Sequence, residues 1–327
     1  MKVCVFGAGA IGGSLAARFS NSGTEVSVVA RGDHLTAIRQ NGLTLILPER
    51  KVHVHIAASS DPRDLGPQDA VFVTVKAPAL PDVAATIAPL LRADTPVVFC
   101  MNGVPWWYFY AHGGPFNDRR LPLIDPNDAV WNAVGPQRAI GCVVFYLAAD
   151  VIRPGVVSAV GGNVRLIVGE PNGKTSTRIQ RIAQLIAKSS INVDISSRIR
   201  DDIWTKLMAN MSGNPLPFLT GATIAEIFAE PLCIDAIRRI AREVIDIAHA
   251  VGCKCDIDVE TMISDSKNLT IKPSIVRDLD NGRPMELDAI FTVPMEFGKM
   301  FGVQTPMLEL FVTLMKLRAK AAKNQRT

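Results

Sequence analysis

The first half of the chain alternates short apolar runs with segments of helical periodicity. The apolar runs, which lack the period-two pattern of half-buried strands, cover residues 3–6, 25–30, 52–56, 70–75 and 97–100. Helical segments lie between them at residues 11–22, 35–41 and 80–91. Buried strands interleaved with helices are typical of a parallel sheet covered on both faces. The pattern therefore predicts a doubly wound α/β domain.

A second group of apolar runs follows, and the pattern then changes to helices. The runs at residues 140–147, 156–160 and 164–168 predict strands of a more antiparallel kind. Helical periodicity dominates afterwards, at residues 201–211, 231–251, 259–266, 286–301 and 306–320. We therefore predict an α/β domain over residues 1–197 and an all-helical domain over residues 198–327.

Composition and charge narrow the functional classes. A chain of 327 residues, 48% of them hydrophobic, can bury two cores. A formal net charge of +4, spread along the chain, does not favour nucleic acid as a partner. No apolar run is long enough to cross a bilayer, so no membrane partner is expected. The six cysteines are scattered and lack zinc-ligand spacing, which predicts no metal and favours the reducing cytoplasm.

A glycine motif follows the first predicted strand and opens the first predicted helix. It consists of Gly7, Ala8, Gly9, Ala10, Ile11 and Gly12. The first glycine permits a tight turn, the second lets the backbone approach a pyrophosphate, and the third lets the helix pack close to the strand. The helix N-terminus supplies N–H groups to the phosphates. With a second strand at the expected spacing, the motif predicts a Rossmann-type dinucleotide-binding domain.

The end of the second predicted strand distinguishes the two nicotinamide cofactors. Sites for NAD carry Asp or Glu at this position, where the acid binds the ribose hydroxyls. This chain has Arg31 there, and a guanidinium can form two hydrogen bonds to a 2′-phosphate. We therefore predict NADPH as the cofactor, with an ordinary solvated arginine as the alternative.

Two further polar residues follow neighbouring predicted strands. Lys76 comes directly after the run at residues 70–75, and Asn102 follows the run at residues 97–100. Because ligands of doubly wound sheets lie beyond the carboxyl ends of the strands, we expect both side chains near the cofactor. The alternative for each is an ordinary loop residue.

A polar row with four-residue spacing runs along a predicted helix of the second domain. Lys206, Asn210 and Asn214 lie on one face of that helix. Such a row is often a solvated face. Reduction of a carbonyl, however, needs an acid for the developing alkoxide and anchors for the rest of the substrate, and an ammonium with two amides supplies these groups.

The chain resembles the ketopantoate reductase (2-dehydropantoate 2-reductase) family in an ordered set of motifs. In sequence order, they are the glycine motif with Arg31, Val-Lys76-Ala, Asn102-Gly103, the row Lys206–Asn210–Asn214 followed by Pro215, and Ser274 with Glu286. The resemblance covers nearly the whole chain. It implies an NADPH-dependent oxidoreductase of pantothenate biosynthesis that reduces a small 2-oxo acid to a 2-hydroxy acid, with ketopantoate as the expected substrate.

The resemblance also implies roles for residues of the helical domain. Lys206 is implied to be the catalytic general acid that protonates the carbonyl oxygen. Asn210, Asn214 and Ser274 are implied to bind the carboxylate and hydroxyl of the substrate. For Ser274, a helix cap is the structural alternative.

Three more residues receive implied roles near the cofactor. Lys76 and Asn102 are implied to lie by the cofactor and the substrate. Glu286 is implied to lie at the nicotinamide end of the cofactor and close to the catalytic lysine. For Glu286, compensation of a helix dipole is the structural alternative.

Two departures from the family pattern leave the substrate open. A further asparagine that contacts substrate in the family is replaced by Thr220-Gly221-Ala222-Thr223-Ile224. Residues 104–136 resemble an insertion that contains three of the four tryptophans. The rings at residues 106–110 are expected to be covered by the chain's own core, by a second subunit of a homodimer, or by a bulkier, more apolar substrate.

Two other functions stay open. One is a reductase of the same family that acts on a different 2-oxo acid. The other is a non-catalytic NADP(H)-binding redox sensor, which would need neither Lys206 nor Glu286. None of the five histidines lies in a motif, so a histidine-based dehydrogenase is not predicted.

Overall fold

The computed structural model describes residues 1–145, 147–160, 164–255 and 257–325. Its internal contacts divide the chain into two compact units. The first consists of Met1–Met101 and Pro105–Ile199, and the second of Asn102–Val104 and Arg200–Thr327. The segment Asn102–Val104, which the sequence places in the α/β domain, therefore belongs to the helical unit.

Twelve strands lie in the described part of the first unit and form two sheets. They are β1 (Lys2–Phe6), β2 (Glu25–Val29), β3 (Leu43–Ile46), β4 (Lys51–Val54), β5 (Ala57–Ser59), β6 (Ala70–Val73), β7 (Val97–Cys100), β8 (Ala139–Phe145), β9 (Ala148–Arg153), β10 (Val156–Val160), β11 (Arg165–Gly169) and β12 (Asn192–Ser196). The larger sheet has the order β12-β11-β8-β7-β6-β1-β2-β5, and the smaller has the order β4-β3-β10-β9.

The larger sheet is parallel except where β11 pairs antiparallel with β8. In its centre, β1 pairs with β2 and with β6, so that Val5 lies between Val28 and Phe72. All three residues are fully buried. This explains why the central strands are continuous apolar runs, since strands that are buried on both faces carry apolar side chains on both.

Five helices of the first unit are α1 (Ala10–Asn21), α2 (Gly32–Asn41), α3 (Leu80–Thr86), α4 (Ala129–Val134) and α5 (Thr177–Lys188). Helix α1 contacts strands of both sheets. A Cβ added at Gly13 would lie 2.7 Å from Val157 Cγ2. The many small residues of this helix therefore permit close packing on two sides.

The predicted group of antiparallel strands is wrong in part. Residues 140–145 and 165–168 of the predicted runs lie in β8 and β11 of the larger sheet, whereas the run at residues 156–160 forms β10 of the smaller sheet. Residue 146 of the first run lies outside the described residues. There β10 pairs parallel with β3 and antiparallel with β9. The sequence does not predict β3, β5, β9, β12, α4 or α5. Short strands acquire their sheet from non-local pairing, which local periodicity does not encode.

The predicted helix at residues 80–91 is also too long. Helix α3 ends at Thr86, and a separate 3₁₀ turn covers Ala88–Leu90. Pro89 lies in this turn. Proline has no N–H for a helical hydrogen bond and disfavours continuation of the helix through its position.

The described residues of the second unit form helices joined by turns and loops, with no strand. Its helices are α6 (Ile199–Gly213), α7 (Pro215–Thr220), α8 (Ile224–Phe228), α9 (Pro231–Ala250), α10 (Val259–Ser266), α11 (Ser274–Asp280), α12 (Val293–Met300) and α13 (Pro306–Asn324). The sequence does not predict α7, α8 or α11, which have five to seven residues each. Segments this short show little periodicity.

The predicted helix at residues 286–301 begins later and is interrupted. Glu286 precedes the first helical residue, Leu287. A π-helical turn at Asp288–Thr292 then leads into α12. Pro294 in the first turn of α12 cannot donate a helical hydrogen bond, which is a common cause of irregular helix geometry. The core beneath α12 contains Trp204 and Phe297, whose ring centroids lie 6.4 Å apart.

Candidate active site

The glycine motif forms a tight loop between β1 and α1. Gly7 has a φ of 101°, which favours glycine. A Cβ added at Gly12 would lie 2.0 Å from the Gly7 carbonyl oxygen, whereas one added at Gly9 would meet no atom within 4 Å. Among the described residues, the Gly9 N–H has no hydrogen-bond partner. Close packing at the third glycine and open space at the second fit a bound pyrophosphate.

Thr74 holds this loop and was not singled out from the sequence. Its hydroxyl donates a hydrogen bond to the Gly7 carbonyl oxygen at 2.6 Å and lies 3.2 Å from the Phe6 carbonyl oxygen. The Gly7 N–H donates to the Val29 carbonyl oxygen at 3.0 Å. A hydroxyl at the end of an otherwise apolar strand is the signal that marks Thr74 in the sequence.

Arg31 lies two residues after the end of β2 and immediately before α2. Its Nη1 is 3.1 Å from Asp82 Oδ2, and the two side chains are 71% and 64% exposed. An exposed ion pair contributes little free energy because water screens it and both side chains lose freedom. The guanidinium can therefore bind an anionic ligand with only a small loss of free energy from breaking this ion pair.

Lys76 follows β6 on the same edge of the sheet as the glycine loop. Strands β1 and β6 are parallel, with Phe6 opposite Val73, so the residues after both strands leave the sheet at one edge. Lys76 is partly buried and precedes a 3₁₀ turn at Ala77–Ala79. The first unit thus places Lys76 and the glycine motif at a common edge.

The polar row of the second unit runs along α6 and past its end. Lys206 and Asn210 lie on α6, and the Asn214 N–H donates to the Asn210 carbonyl oxygen at 3.1 Å. Asn214 has helical angles, with φ −88° and ψ −29°, so the four-residue spacing continues to Pro215. All three polar side chains are partly buried. The structure therefore brings Lys206, Asn210 and Asn214 onto one face.

Burial lowers the pKa of the Lys206 ammonium from its ordinary value of 10.5. The cause is desolvation, which disfavours the charged form. The neighbouring residues Leu207 and Met208 are nearly fully buried. A lysine with a lowered pKa is a stronger proton donor near neutral pH than a solvated one.

Asn102 and Glu286 come together in the second unit. Asn102 Nδ2 donates a hydrogen bond to Glu286 Oε2 at 3.4 Å. Glu286 is only 9% exposed. Next to Asn102, Gly103 has a φ of 86°, and a Cβ there would lie 2.5 Å from the Ala289 backbone. The Val104 N–H donates to the Ala289 carbonyl oxygen at 2.8 Å. These contacts explain why residues 102–104 belong to the helical unit.

Ser274 is exposed and is the first residue of α11. The N-cap position of this helix is occupied by Pro273, and no side chain caps it. Ser274 is therefore not the N-cap residue, and the structural alternative of a helix cap is wrong for it. Glu286 lies directly before the helical turn that starts at Leu287, so compensation of a helix dipole stays open for it.

The aromatic residues after Gly103 form part of a core. Trp106, Trp107, Tyr108 and Phe109 are between 0% and 1% exposed. The Trp106 ring lies 5.4 Å from Phe99 and 5.9 Å from Trp131, measured between ring centroids. The chain's own residues cover these rings. The structure therefore gives no support to a substrate or a second subunit as their cover.

A cavity of about 700 Å³ in the first unit is lined by none of the predicted site residues. Its lining includes Met1, Thr24, Asp69 and Pro96. These residues precede β1, β2, β6 and β7, so the cavity lies at the opposite edge of the sheet from the glycine loop. The cavity is therefore distinct from the candidate active site.

The described helices include none that is both long and apolar enough to span a membrane. In the same residues, no three histidine, cysteine or acidic side chains come together as metal ligands.

Two family models match the chain, one for each half. Residues 3–108 match "Ketopantoate reductase PanE/ApbA", and residues 198–319 match "Ketopantoate reductase PanE/ApbA C terminal". The chain is 40% identical over 318 residues to the 2-dehydropantoate 2-reductase of Mesorhizobium japonicum, covering 97% of each chain. The chain belongs to the ketopantoate reductase family.

Solved structures agree with this assignment. A protein described as a ketopantoate reductase from Ralstonia solanacearum MolK2 is 37% identical, with a TM-score of 0.92 and 98% of each chain covered. D-mandelate dehydrogenase, solved with NADH and anilino(oxo)acetate, shares the fold at 20% identity, with a TM-score of 0.84 and 99% of each chain covered. The present ketopantoate reductase family member is therefore an oxidoreductase with a Rossmann-type unit and a helical unit.

Proposed function

We propose that this member of the family reduces 2-dehydropantoate to pantoate with NADPH. The observation that carries the proposal is the row Lys206–Asn210–Asn214 on α6, in which burial lowers the pKa of the lysine. One ammonium and two amides on one face match a substrate with a carbonyl, a carboxylate and a hydroxyl. The activity of the relative from Mesorhizobium japonicum supports the choice of substrate.

We assign cofactor binding to the first unit. The open backbone at Gly9 accepts the pyrophosphate, and Arg31 binds the 2′-phosphate after releasing Asp82. Neither Val29, which ends β2, nor Ala30, which follows it, is an acid that would repel this phosphate. These features favour NADPH over NADH.

We assign the chemistry to the second unit. When bound, NADPH supplies the hydride. The Lys206 ammonium donates a proton to the carbonyl oxygen of the substrate, and Asn210, Asn214 and Ser274 bind its carboxylate and hydroxyl. Asn102 contacts substrate and cofactor, and its hydrogen bond orients the Glu286 carboxylate.

Two assignments complete the site. Lys76 binds the cofactor and contributes positive charge at the edge where the glycine loop lies. Glu286 lies at the nicotinamide end of the cofactor and orients the catalytic lysine.

A panel of 2-oxo acids tests the proposed function. Oxidation of NADPH would be followed with ketopantoate, 2-oxoisovalerate and phenylglyoxylate, and the same panel repeated with NADH. We expect the highest kcat/KM for ketopantoate with NADPH. A higher value for another acid would contradict the substrate and support the second candidate, a reductase of a different 2-oxo acid.

The second candidate rests on a specific difference in sequence. The segment after Asn214-Pro215 reads Thr220-Gly221-Ala222 where the family has a further asparagine, and the fold also serves D-mandelate dehydrogenase. NADPH binding without turnover of any 2-oxo acid would instead support a redox sensor.

We further propose a homodimer in the cytoplasm. Leu310, Leu314 and Leu317 are exposed at i, i+4 and i+7 on α13, a pattern that suits contact with a second copy. The six cysteines are free thiols, as is usual in a reducing compartment. Light scattering of the wild type and of Leu314→Lys tests the dimer, and a monomeric wild type would contradict it.

A further inference from the structure

The ring of His34 bridges two backbone segments of the first unit. His34 lies in the first turn of α2 and is partly buried. Its Nε2 is 2.7 Å from the Ala8 carbonyl oxygen in the glycine motif. Its Nδ1 is 3.1 Å from the Gly155 nitrogen in the turn between β9 and β10. One side chain thus joins α2, the glycine loop and the smaller sheet.

The two contacts determine the protonation state of the ring. The Gly155 N–H can only donate, so Nδ1 is the acceptor and carries no proton. Nε2 therefore carries the proton and donates it to the Ala8 carbonyl oxygen. Burial also lowers the pKa of His34 from 6.5, which favours the neutral ring. The two contacts select the tautomer with the proton on Nε2, and burial favours the neutral form of the ring over the charged form.

This hydrogen bond determines how the Ala8–Gly9 peptide faces. The peptide is trans and planar, so its C=O and N–H point in opposite directions. With the Ala8 C=O directed at His34, the Gly9 N–H is directed away from it. The Ala8 N–H is held separately, by a 3.3 Å hydrogen bond to the Val29 carbonyl oxygen.

We infer that His34 is a positioning residue for the dinucleotide, which keeps the Gly9 N–H oriented toward the pyrophosphate. The inference rests on the proposed function, in which the glycine loop binds NADPH. The pyrophosphate is common to NADPH and NADH. Loss of His34 therefore weakens both cofactors equally, unlike loss of Arg31, which contacts the 2′-phosphate alone.

The turn at Gly155 holds the opposite side of the ring. Gly155 has a φ of 73°, and a Cβ there would lie 3.2 Å from Ala37 Cβ of α2. The Thr44 N–H of β3 donates to the Gly155 carbonyl oxygen at 2.9 Å. Since the turn packs closely on α2 and β3, the position of Nδ1 is fixed and the ring cannot rotate without losing a hydrogen bond.

The test measures dissociation constants of NADPH and NADH for the wild type and two variants. His34→Leu removes both hydrogen bonds, whereas His34→Gln retains an amide donor and an amide oxygen at similar positions. We expect the Leu variant to raise both constants about tenfold, as for loss of one hydrogen bond, and the Gln variant to stay within about threefold of the wild type. KM for NADPH should rise while kcat at saturating NADPH stays unchanged.

His53→Leu is the matched control. His53 also makes a side-chain hydrogen bond in the first unit, with its Nδ1 2.9 Å from Thr44 Oγ1. This contact lies between β3 and β4, not at the glycine loop. We expect a loss of stability without a change in cofactor affinity.

Three results would overturn the inference. They are unchanged affinity in folded His34→Leu, an equal loss of affinity in His53→Leu, and a loss for NADPH alone. If the Leu variant does not fold, His34→Asn gives the same test, because its shorter amide cannot reach both backbone groups. Failure of the wild type to bind either cofactor would instead contradict the proposed function.

Discussion

The Asn102 side chain donates a hydrogen bond to Glu286 across 184 positions of sequence, with 3.4 Å between Nδ2 and Oε2. The pair joins the segment that follows β7 to the segment that precedes the π-helical turn at Asp288–Thr292. Glu286 is almost fully buried, so its carboxylate depends on such donors for stability.

Asn102→Asp should place a second carboxylate beside Glu286. Like charges disfavour ionisation of the pair, so the free energy of unfolding at neutral pH should fall by about 1–3 kcal/mol. Urea denaturation at neutral pH measures the effect. Asn102→Ala, which removes the hydrogen bond but adds no charge, is the control, and an equal loss of stability in both variants would contradict the expected repulsion.

Arg31→Ala should weaken NADPH and leave NADH nearly unchanged. A charge-assisted contact to the 2′-phosphate contributes about 1.5–3 kcal/mol, or roughly ten- to a hundredfold in affinity. Asp82→Asn should have the opposite effect, a gain of up to about fivefold for NADPH, because the exposed ion pair no longer competes. Titration with each cofactor tests both variants. Equal losses of NADPH and NADH in Arg31→Ala would remove Arg31 from the 2′-phosphate site.

Lys206→Ala should lower kcat by about 10²–10⁴ while NADPH still binds, because the proton donor is lost. Lys206→Gln should not restore turnover, since an amide does not supply the proton. Lys316→Ala is the control, because Lys316 is exposed on α13 in the same unit. Steady-state kinetics and a binding titration separate the two effects. Turnover near that of the wild type in Lys206→Ala would make Lys206 a structural lysine.

The pH dependence of activity and of stability should run in opposite directions at high pH. The pKa of Lys206 is lowered in the folded chain, and proton donation needs the ammonium. For reduction, kcat should therefore fall as the pH rises through this lowered pKa. The desolvation cost of the ammonium is present in full at lower pH and disappears between the folded pKa and 10.5, so stability should rise across that window. Lys206→Met should lack this rise. If the stability of the wild type relative to Lys206→Met fell with rising pH instead, the pKa of Lys206 would be raised, which would contradict the expectation.

Trp107→Ala should destabilise the chain without changing the ranking of 2-oxo acids. Trp107 is fully buried, and such truncations cost about 3–5 kcal/mol. Gly141→Ala should also destabilise, because its Cβ would lie 2.8 Å from Trp107 Cζ2 and Ile199 Cγ1. Gly213→Ala is the matched control, since its nearest contact would be 3.9 Å. A changed ranking by kcat/KM in folded Trp107→Ala would restore the idea that these rings select the substrate.

The sequence by itself determined the features that depend only on residues close together in the chain. The glycine motif, the apolar strands around it and the four-residue row on α6 can be read directly, because backbone freedom at glycine and hydrophobic periodicity act within a few residues. The family followed from the order of these motifs. The roles of Lys206, Arg31 and Ser274 stay predictions, since proximity to ligand is not a property of local sequence.

Only the tertiary structure decided which distant residues meet. It assigned residues 102–104 to the helical unit, divided the strands between two sheets, and placed His34 against Ala8. It also covered the tryptophans with the chain's own core and buried Lys206 enough to lower its pKa. Each of these outcomes depends on close packing between segments far apart in sequence. Packing and desolvation are set by all neighbours together, so no local pattern encodes them.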